Sequence, residues 1–151
     1  MYFQEYDHLP EEKQLAVLTQ LRNADWRGAH FLYDLLRQDG LDAYSGPDPR
    51  LLLLMQEECI LSFCVLGVRD EIHDTELSPW IGFVYTFPRY RGHRCSQKVI
   101  DYTCSLARQQ GHSKIYISSN EYGLYEKYSF RYLDHMRNVR GELTQVFVRD
   151  L

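Results

Sequence analysis

Residues 80–87 constrain the fold more than any other part of the sequence. They are almost all apolar or aromatic, and Pro88 ends the run. A run of this kind is typical of a central β-strand that other elements cover on both faces. After a basic turn, residues 99–107 carry apolar side chains at helical spacing, and residues 115–117 are again apolar. The sequence therefore predicts a strand, a turn, a helix and a strand in succession over 80–117.

The segments on either side predict further helices and a hairpin. Pro10 followed by two glutamates is typical of a helix start. Asp25 is predicted to cap a second helix that ends at Gly40. The other predicted elements are a strand or arm over 1–8, a loop over 42–49, paired strands at 51–55 and 59–68, a charged loop over 70–78, a short helix over 121–128, and strands that begin at 130 and span 143–148.

Together these elements predict one α+β domain over residues 1–151. The chain has no repeat, no low-complexity tract and no linker that would divide it. Its hydrophobic content of 44% and charged content of 25% are ordinary for a globular protein of 151 residues. We therefore expect a single mixed sheet with helices on both faces.

The composition argues against several classes of protein. A net charge of -4 gives no bulk attraction to nucleic acids. No apolar run is long enough to span a bilayer, and no signal peptide is visible. The cysteines at 59, 64, 95 and 104 form neither a Cys-x-x-Cys pair nor a zinc ligand set. We expect a reduced, cytoplasmic protein that binds no metal, nucleic acid or membrane.

The basic turn over residues 88–96 has the features of a phosphate-binding site. It leads from a buried strand into a helix start, where backbone N–H groups lack partners and the helix dipole favours an anion. Gly92 lets the backbone turn closely, and Ser96 is predicted to cap the helix with its hydroxyl. A nucleotide P-loop would need Gly-Lys-Ser/Thr at the helix start, which this turn lacks. As a nucleophile, Cys95 would need an activating base, and only His93 adjoins it.

Two motifs, in order, resemble those of the GNAT superfamily of N-acetyltransferases. Residues 88–92, Pro-Arg-Tyr-Arg-Gly ahead of a helix, resemble the family's acetyl-CoA motif. Residues 124–130, Leu-Tyr-Glu-Lys-Tyr-Ser-Phe, resemble its second signature, and the expected helix and strand lie between the two. The resemblance is sharp over 79–133 and extends over 51–151. It is vague over the first 50 residues, which in this family shape the acceptor site.

The resemblance implies a central mixed, mostly antiparallel sheet that splays open beside its fourth strand. The pantetheine arm of acetyl-CoA would pair with that strand's backbone, and the pyrophosphate would bind the N–H groups of the turn. No metal is implied. The residues assigned to acetyl-CoA are Val84, Tyr85 and Thr86 on the strand, Arg91, Gly92, His93, Arg94, Cys95 and Ser96 in the turn, and Asn120.

Three residues stand where the family usually has glycine: Arg94, Ser96 and Ser129. We expect right-handed helical backbone at the first two, which needs no glycine, and a negative φ or tolerated strain at Ser129. The Arg94 side chain has three interpretations. It adds a charge-assisted bond to a phosphate, it clashes with the ligand, or it points to solvent.

The resemblance also implies roles in the reaction. Tyr125 occupies the place of the tyrosine that protonates the leaving thiolate, and a phenol with a pKa of ~10 keeps its proton at neutral pH. The backbone N–H of Tyr85 would hold the thioester carbonyl. The base stays open because residues 80–87 contain no carboxylate. The candidates are Asp70, Glu71, His73, Asp74 and Glu76, or a water chain, and the carboxylates are also interpreted as an acidic rim that attracts a cationic amine.

The sequence thus supports two functional hypotheses. The first is an N-acetyltransferase that moves an acetyl group from acetyl-CoA to the primary amine of a small molecule or an amino terminus by direct attack. The second is a catalytically silent CoA-binding or sensory module, which the missing glycines and the missing strand carboxylate favour. Trp26, Tyr33 and Trp80 are candidates for an acceptor pocket or for the core. The oligomeric state stays open, with a homodimer as one option.

Overall fold

A seven-stranded sheet forms the centre of the protein, in the order β1-β2-β3-β4-β5-β7-β6. The computed structural model describes all of residues 1–151. The strands are β1 (Tyr2–Glu5), β2 (Arg50–Gln56), β3 (Cys59–Gly67), β4 (Trp80–Thr86), β5 (Lys114–Ser119), β6 (Arg131–Arg137) and β7 (Leu143–Asp150). The helices are α1 (Glu11–Arg22), α2 (Arg27–Arg37), α3 (Leu41–Ser45) and α4 (Cys95–Gln109), and 3-10 turns lie at Tyr6–His8, Pro88–Tyr90 and Tyr125–Tyr128.

Strand β2 shows why its sequence is so apolar. Leu51 and Leu53 pack with α1 and α2 on one face of the sheet, whereas Leu52 and Leu54 pack with α4 on the other. Because successive side chains of a strand point to opposite faces, a strand covered on both sides must be apolar at every position. The expected mixed sheet with helices on both faces is confirmed.

A third apolar cluster lies where no helix covers the sheet. Trp80 is fully buried there with Ile72 and Tyr116, beneath the loop over 68–79. Its indole N–H donates to the carbonyl of Leu77 at 2.6 Å. Trp80 is therefore a core residue, and its alternative role in the acceptor pocket is wrong.

The pairing between β4 and β5 positions the candidate site. All other neighbouring strands are antiparallel, but β4 and β5 are parallel and pair at only two positions, Trp80 with Tyr116 and Ile81 with Ile117. Beyond these positions the strands diverge and leave a gap in the sheet. A bulge on β4 accompanies the divergence, since three steps along β4 face two steps along β3, and Phe83 within it has a φ of 55°.

Several local predictions are corrected. Asp25 does not cap α2: the N-cap is Trp26, without a side-chain cap bond, because the Asp25 carboxylate accepts from the Tyr85 hydroxyl instead. Helix α2 ends at Arg37, and Gly40 is the N-cap of α3, which occupies part of the predicted loop over 42–49. The predicted helix over 121–128 is only the 3-10 turn at its end.

Other predictions are confirmed. The hairpin of β2 and β3 is present, and residues 80–117 form the strand, turn, helix and strand in that order. Residues 1–8, which were predicted to form either a strand or an arm, contain strand β1, which pairs with β2. No helix has the length and hydropathy needed to cross a membrane.

Candidate active site

Three neighbouring cavities lie along β4, from the gap beside β5 to the N-terminus of α4. Their volumes are about 360, 540 and 650 Å³, and we call them the acceptor-side, central and cradle cavities in that order. The acceptor-side and central cavities share Trp26, Val84, Glu121 and Tyr125 as lining. The central and cradle cavities share Thr86, Arg91, Ser96 and Leu124. The shared lining residues place the three cavities side by side along the splayed strand, and we call them together the cleft.

The cradle cavity lies at the N-terminus of α4. The first helical bond runs from the Lys98 N–H to the Arg94 carbonyl, so the N–H groups that precede it have no partner within the helix. Gly92 has a φ of 85°, and a Cβ placed on it would meet nothing within 4 Å. Lys127 adds a cation to the lining. Open backbone donors, a helix dipole and basic side chains suit the pyrophosphate of a nucleotide-type ligand.

The backbone of this turn differs from the expectation at one of its two unusual positions. Arg94 has φ 60° and ψ 28°, the left-handed region, so the expected right-handed conformation is wrong. This region is strained for residues other than glycine. Ser96 is in the helix, as expected, but it does not cap it, because its hydroxyl pairs with the Tyr128 hydroxyl at 2.8 Å.

The remaining predicted residues of the turn are placed as follows. Cys95 is the first residue of α4; it is buried in the core and also lines the cradle cavity. His93 is exposed and lies outside the cavity linings. Asn120 also lies outside them, where its side-chain oxygen accepts from the Gln145 N–H at 3.4 Å. Tyr33 is distant from the cleft lining and contacts Arg37 on its own helix.

Arg91 lies across the turn and contacts β4. Its Nε donates to the Thr86 carbonyl at 3.0 Å, its guanidinium approaches Asp25 at 3.5 Å, and it lies 5.5 Å from the centre of the Tyr85 ring. The same ring also stacks on Trp26, with centroids 5.4 Å apart. The Tyr85 side chain therefore forms part of the wall near α2.

The backbone groups of β4 that face the gap can be read from their partners. The Tyr85 carbonyl accepts from the Ser62 hydroxyl at 2.7 Å, and the Phe87 N–H donates to Leu61 at 3.0 Å, so both point toward β3. The backbone N–H of Tyr85 therefore faces β3 and not the gap. Val84 lies within the bulge and lines the central cavity.

Tyr125 lies between the acceptor-side and central cavities. It is buried, and burial raises the pKa of its phenol, so the hydroxyl is protonated at neutral pH. Phe130 and Phe147 pack around its ring. The turn that holds it ends at Ser129, whose φ of 70° contradicts the expected negative value. This left-handed residue lets the Phe130 N–H reach the Tyr125 carbonyl at 3.0 Å.

Asp70 lines the acceptor-side cavity and is buried. Burial, and then the charge of Glu71, raise the pKa of the Asp70 carboxyl to about 7. The carboxylate packs against Gly82 of β4 so closely that a Cβ on that glycine would lie 1.9 Å from Oδ1. A carboxyl that titrates near neutrality is suited to accept a proton.

Glu71 also lines this cavity, but its carboxylate is occupied. It accepts from the Ser118 hydroxyl on β5, from Asn138 Nδ2 at 3.2 Å and from Arg140 at 2.8 Å. Glu71 therefore joins the loop after β3 to β5 and to the turn between β6 and β7. No sequence signal pointed to Ser118, Asn138, Arg140 or Gly82, because their roles depend on contacts between distant segments.

The other base candidates lie elsewhere. His73 packs edge-on against Tyr44 with ring centroids 5.5 Å apart, and neither it nor Asp74 or Glu76 lines the cavities of the cleft. No cluster of His, Cys, Asp and Glu has the arrangement of a metal site.

Sequence comparison identifies the family to which this fold belongs. The model of the GNAT acetyltransferase family matches residues 15–130, and the chain belongs to that family. No protein of curated function matches the sequence significantly.

Solved structures share the whole fold at low identity. An aminoglycoside 6'-acetyltransferase type Ii is 13% identical with a TM-score of 0.73, and the match covers 99% of this chain and 97% of that one. An aminoglycoside 6'-N-acetyltransferase complexed with coenzyme A is 12% identical with a TM-score of 0.72, over the same shares. Escherichia coli ElaA is 16% identical with a TM-score of 0.67, over 99% of both chains.

Proposed function

We propose that this protein is an acetyl-CoA-dependent N-acetyltransferase that acetylates the primary amine of a small molecule or an amino terminus by direct attack. The observation that carries the proposal is that one cleft holds three requirements side by side. These are an anion cradle at the start of α4, the buried phenol of Tyr125 and the buried carboxyl of Asp70.

The cleft fits acetyl-CoA along its length. The cradle offers backbone donors and cations to the pyrophosphate, and the unpaired edge of β4 offers backbone groups to the pantetheine amides. A structural neighbour was solved with coenzyme A, which supports the same use of this fold. The thioester would then reach the central cavity, beside Tyr125 and Val84.

The residues of the cleft can balance the reaction. Asp70 takes one proton from the ammonium, and the free amine attacks the thioester carbonyl, whose oxygen accepts from a backbone N–H at the unpaired edge of β4. As the C–N bond forms and the C–S bond breaks, Tyr125 donates its proton to the sulfur. The second nitrogen proton replaces the one that Tyr125 gave up. Amine and acetyl-CoA become amide and free CoA, with one proton released.

Asp70 is also the reason to prefer an enzyme over a silent CoA-binding module. The silent module was favoured by the missing carboxylate on β4 and by the missing glycines at Arg94 and Ser96. Asp70 supplies a carboxyl to the acceptor-side cavity from the loop after β3, against the backbone of Gly82. Its position removes the first of these two reasons.

The first test combines binding with turnover. Isothermal titration should show acetyl-CoA binding, and release of free thiol over a panel of amines should identify an acceptor. Tyr125→Phe should then lower kcat about 100-fold or more, with acetyl-CoA affinity unchanged, because it loses only the transferable proton. Tyr122→Phe is the matched control, because Tyr122 is exposed and outside the cleft lining, and it should retain turnover. Unchanged kcat in Tyr125→Phe would remove the acid assignment.

A further inference from the structure

An aromatic wall faces the buried carboxyl in the acceptor-side cavity. Phe31 on α2, Tyr44 on α3 and Phe83 on β4 contact one another, with ring centroids 5.1 to 6.0 Å apart. Phe31 is 43% exposed although it lines the cavity. A cluster of large apolar side chains left open to solvent inside a cleft is typical of a surface that a ligand covers.

Backbone strain maintains one side of this wall. Phe83 has a φ of 55°, which is unfavourable for a bulky side chain. Strain of this kind persists where the surrounding structure imposes it, and it is frequent at binding sites. Here the bulge turns the Phe83 ring toward α2, so that it completes the wall instead of joining the core beneath α4.

The charges of the cavity are unbalanced in favour of a cation. Arg140 lines it, but this guanidinium is held by Glu71 at 2.8 Å and Glu142 at 2.6 Å. Asp70 and Glu121 also line the cavity, and neither forms a salt bridge. An ammonium group would find acidic partners, whereas a carboxylate on the ligand would meet like charge and no free cation.

We propose that the acceptor is a small primary amine with a compact apolar or aromatic body and no carboxylate. This inference rests on the proposed function. The ammonium lies toward Asp70, and the body lies against Phe31, Tyr44 and Phe83. A cavity of about 360 Å³ is small for a ligand site, where the usual range is ~300–1,000 Å³. The hydroxyls of an aminoglycoside that lay against the aromatic wall would be left unpaired on that side.

A matched pair of amines tests the acceptor class. 2-Phenylethylamine and phenylalanine differ only in the carboxylate, so kcat/KM should be roughly 100-fold or more higher for 2-phenylethylamine. It should also exceed the values for spermidine, for kanamycin and for a short peptide. If phenylalanine, spermidine, kanamycin or the peptide is the better acceptor and its turnover depends on Tyr125, the acceptor class is wrong and the proposed acetyltransferase function stands.

Substitution of the wall separates this inference from the proposed function itself. Phe31→Ala should raise KM for 2-phenylethylamine about five- to tenfold, with kcat and the KM for acetyl-CoA unchanged. Tyr122→Ala is the control, because Tyr122 is an exposed aromatic outside the cleft lining. An unchanged KM in Phe31→Ala would overturn the wall's role. If acetyl-CoA binds but no amine of the panel releases thiol, the proposed function fails.

Discussion

The two ends of the cleft are built in different ways. The cradle end is lined mainly by one short stretch, residues 86–97, which includes the start of α4, with three residues of the turn before β6. The acceptor end is made of side chains from α2, α3, β4, β5 and the loops that follow β3 and β6. A site of the first kind recognises a ligand common to many proteins with few sequence requirements. A site of the second kind varies freely, and under the proposed function this end would set the identity of the acceptor.

This contrast predicts that substitutions at one end should leave the other end intact. Acetyl-CoA affinity reports the cradle end, and turnover at saturating acetyl-CoA reports the acceptor end. The four predictions below test whether the two measurements separate, beginning with the largest expected effect.

Asp70→Asn should separate stability from activity most clearly. Without a proton acceptor, kcat/KM should fall about 10²- to 10⁴-fold, while acetyl-CoA affinity measured by calorimetry stays within about twofold. Folding raises the pKa of Asp70 from 3.8 to about 7, so the unfolded chain loses this proton at a lower pH than the folded protein does. The free energy of unfolding therefore falls as the pH rises between these two values. The free energy of unfolding of Asp70→Asn at pH 8 should therefore be higher, by up to about 4 kcal/mol.

Glu76→Gln is the control for this prediction, since that exposed carboxylate lies outside the cleft lining. It should change neither turnover nor stability by more than about 0.5 kcal/mol. If Asp70→Asn weakens acetyl-CoA binding as much as it slows turnover, the two ends are not separate.

Two glycine substitutions compare the ends directly. Gly82→Ala places a Cβ against Asp70, so the carboxyl must shift and kcat/KM should fall by about 10²-fold with little change in acetyl-CoA affinity. Gly92→Ala has open space but a φ of 85°, so it should cost about 1 kcal/mol of stability and weaken acetyl-CoA binding. Denaturant unfolding, calorimetry and steady-state kinetics measure the three quantities. Equal losses of affinity in both variants would contradict the distinction.

The pH dependence of turnover should report the titration of Asp70. With a carboxyl pKa of about 7, kcat/KM for the amine should rise about tenfold per pH unit below 7 and level off above it. Acetyl-CoA affinity should not follow this curve. In Asp70→Asn, the decrease of kcat/KM below pH 7 should disappear. If the decrease persists, another titratable group causes it.

Arg94→Gly should have the smallest effect. Glycine relieves the left-handed strain, so stability should change by less than about 1 kcal/mol. Because Arg94 lines the cradle, loss of its charge should weaken acetyl-CoA binding about three- to tenfold, and less at high salt. An affinity that does not change with salt or substitution would show that the side chain points to solvent.

The same contrast explains how far the sequence could predict this protein. Residues 80–117 and the cradle were predictable because their motif, apolar pattern and turn are contiguous. Tyr125 came from a second short motif. Asp70 was only one of five side-chain candidates, because its selection depends on how the loop after β3 packs against Gly82. That packing leaves no periodic or local signal in the sequence.

The wrong local predictions have the same origin. Asp25 is a good helix cap by residue type, but the Tyr85 hydroxyl, sixty residues away in sequence, takes its carboxylate. Arginine rarely adopts left-handed backbone, so the residue type at position 94 favours the right-handed conformation. The tertiary structure imposes the left-handed one at the point where the turn enters α4.

The two-position pairing of β4 with β5 has a mechanical consequence. The sheet has two parts, β1 to β4 and β5 to β7, whose backbones pair with each other at only two positions. A ligand that pairs with the free edge of β4 would take the place of the backbone hydrogen bonds that β4 and β5 do not make with each other. Its binding would then also restrain the motion of the two parts of the sheet relative to each other. Slower amide hydrogen exchange in β4 and β5 with the ligand bound would measure this restraint.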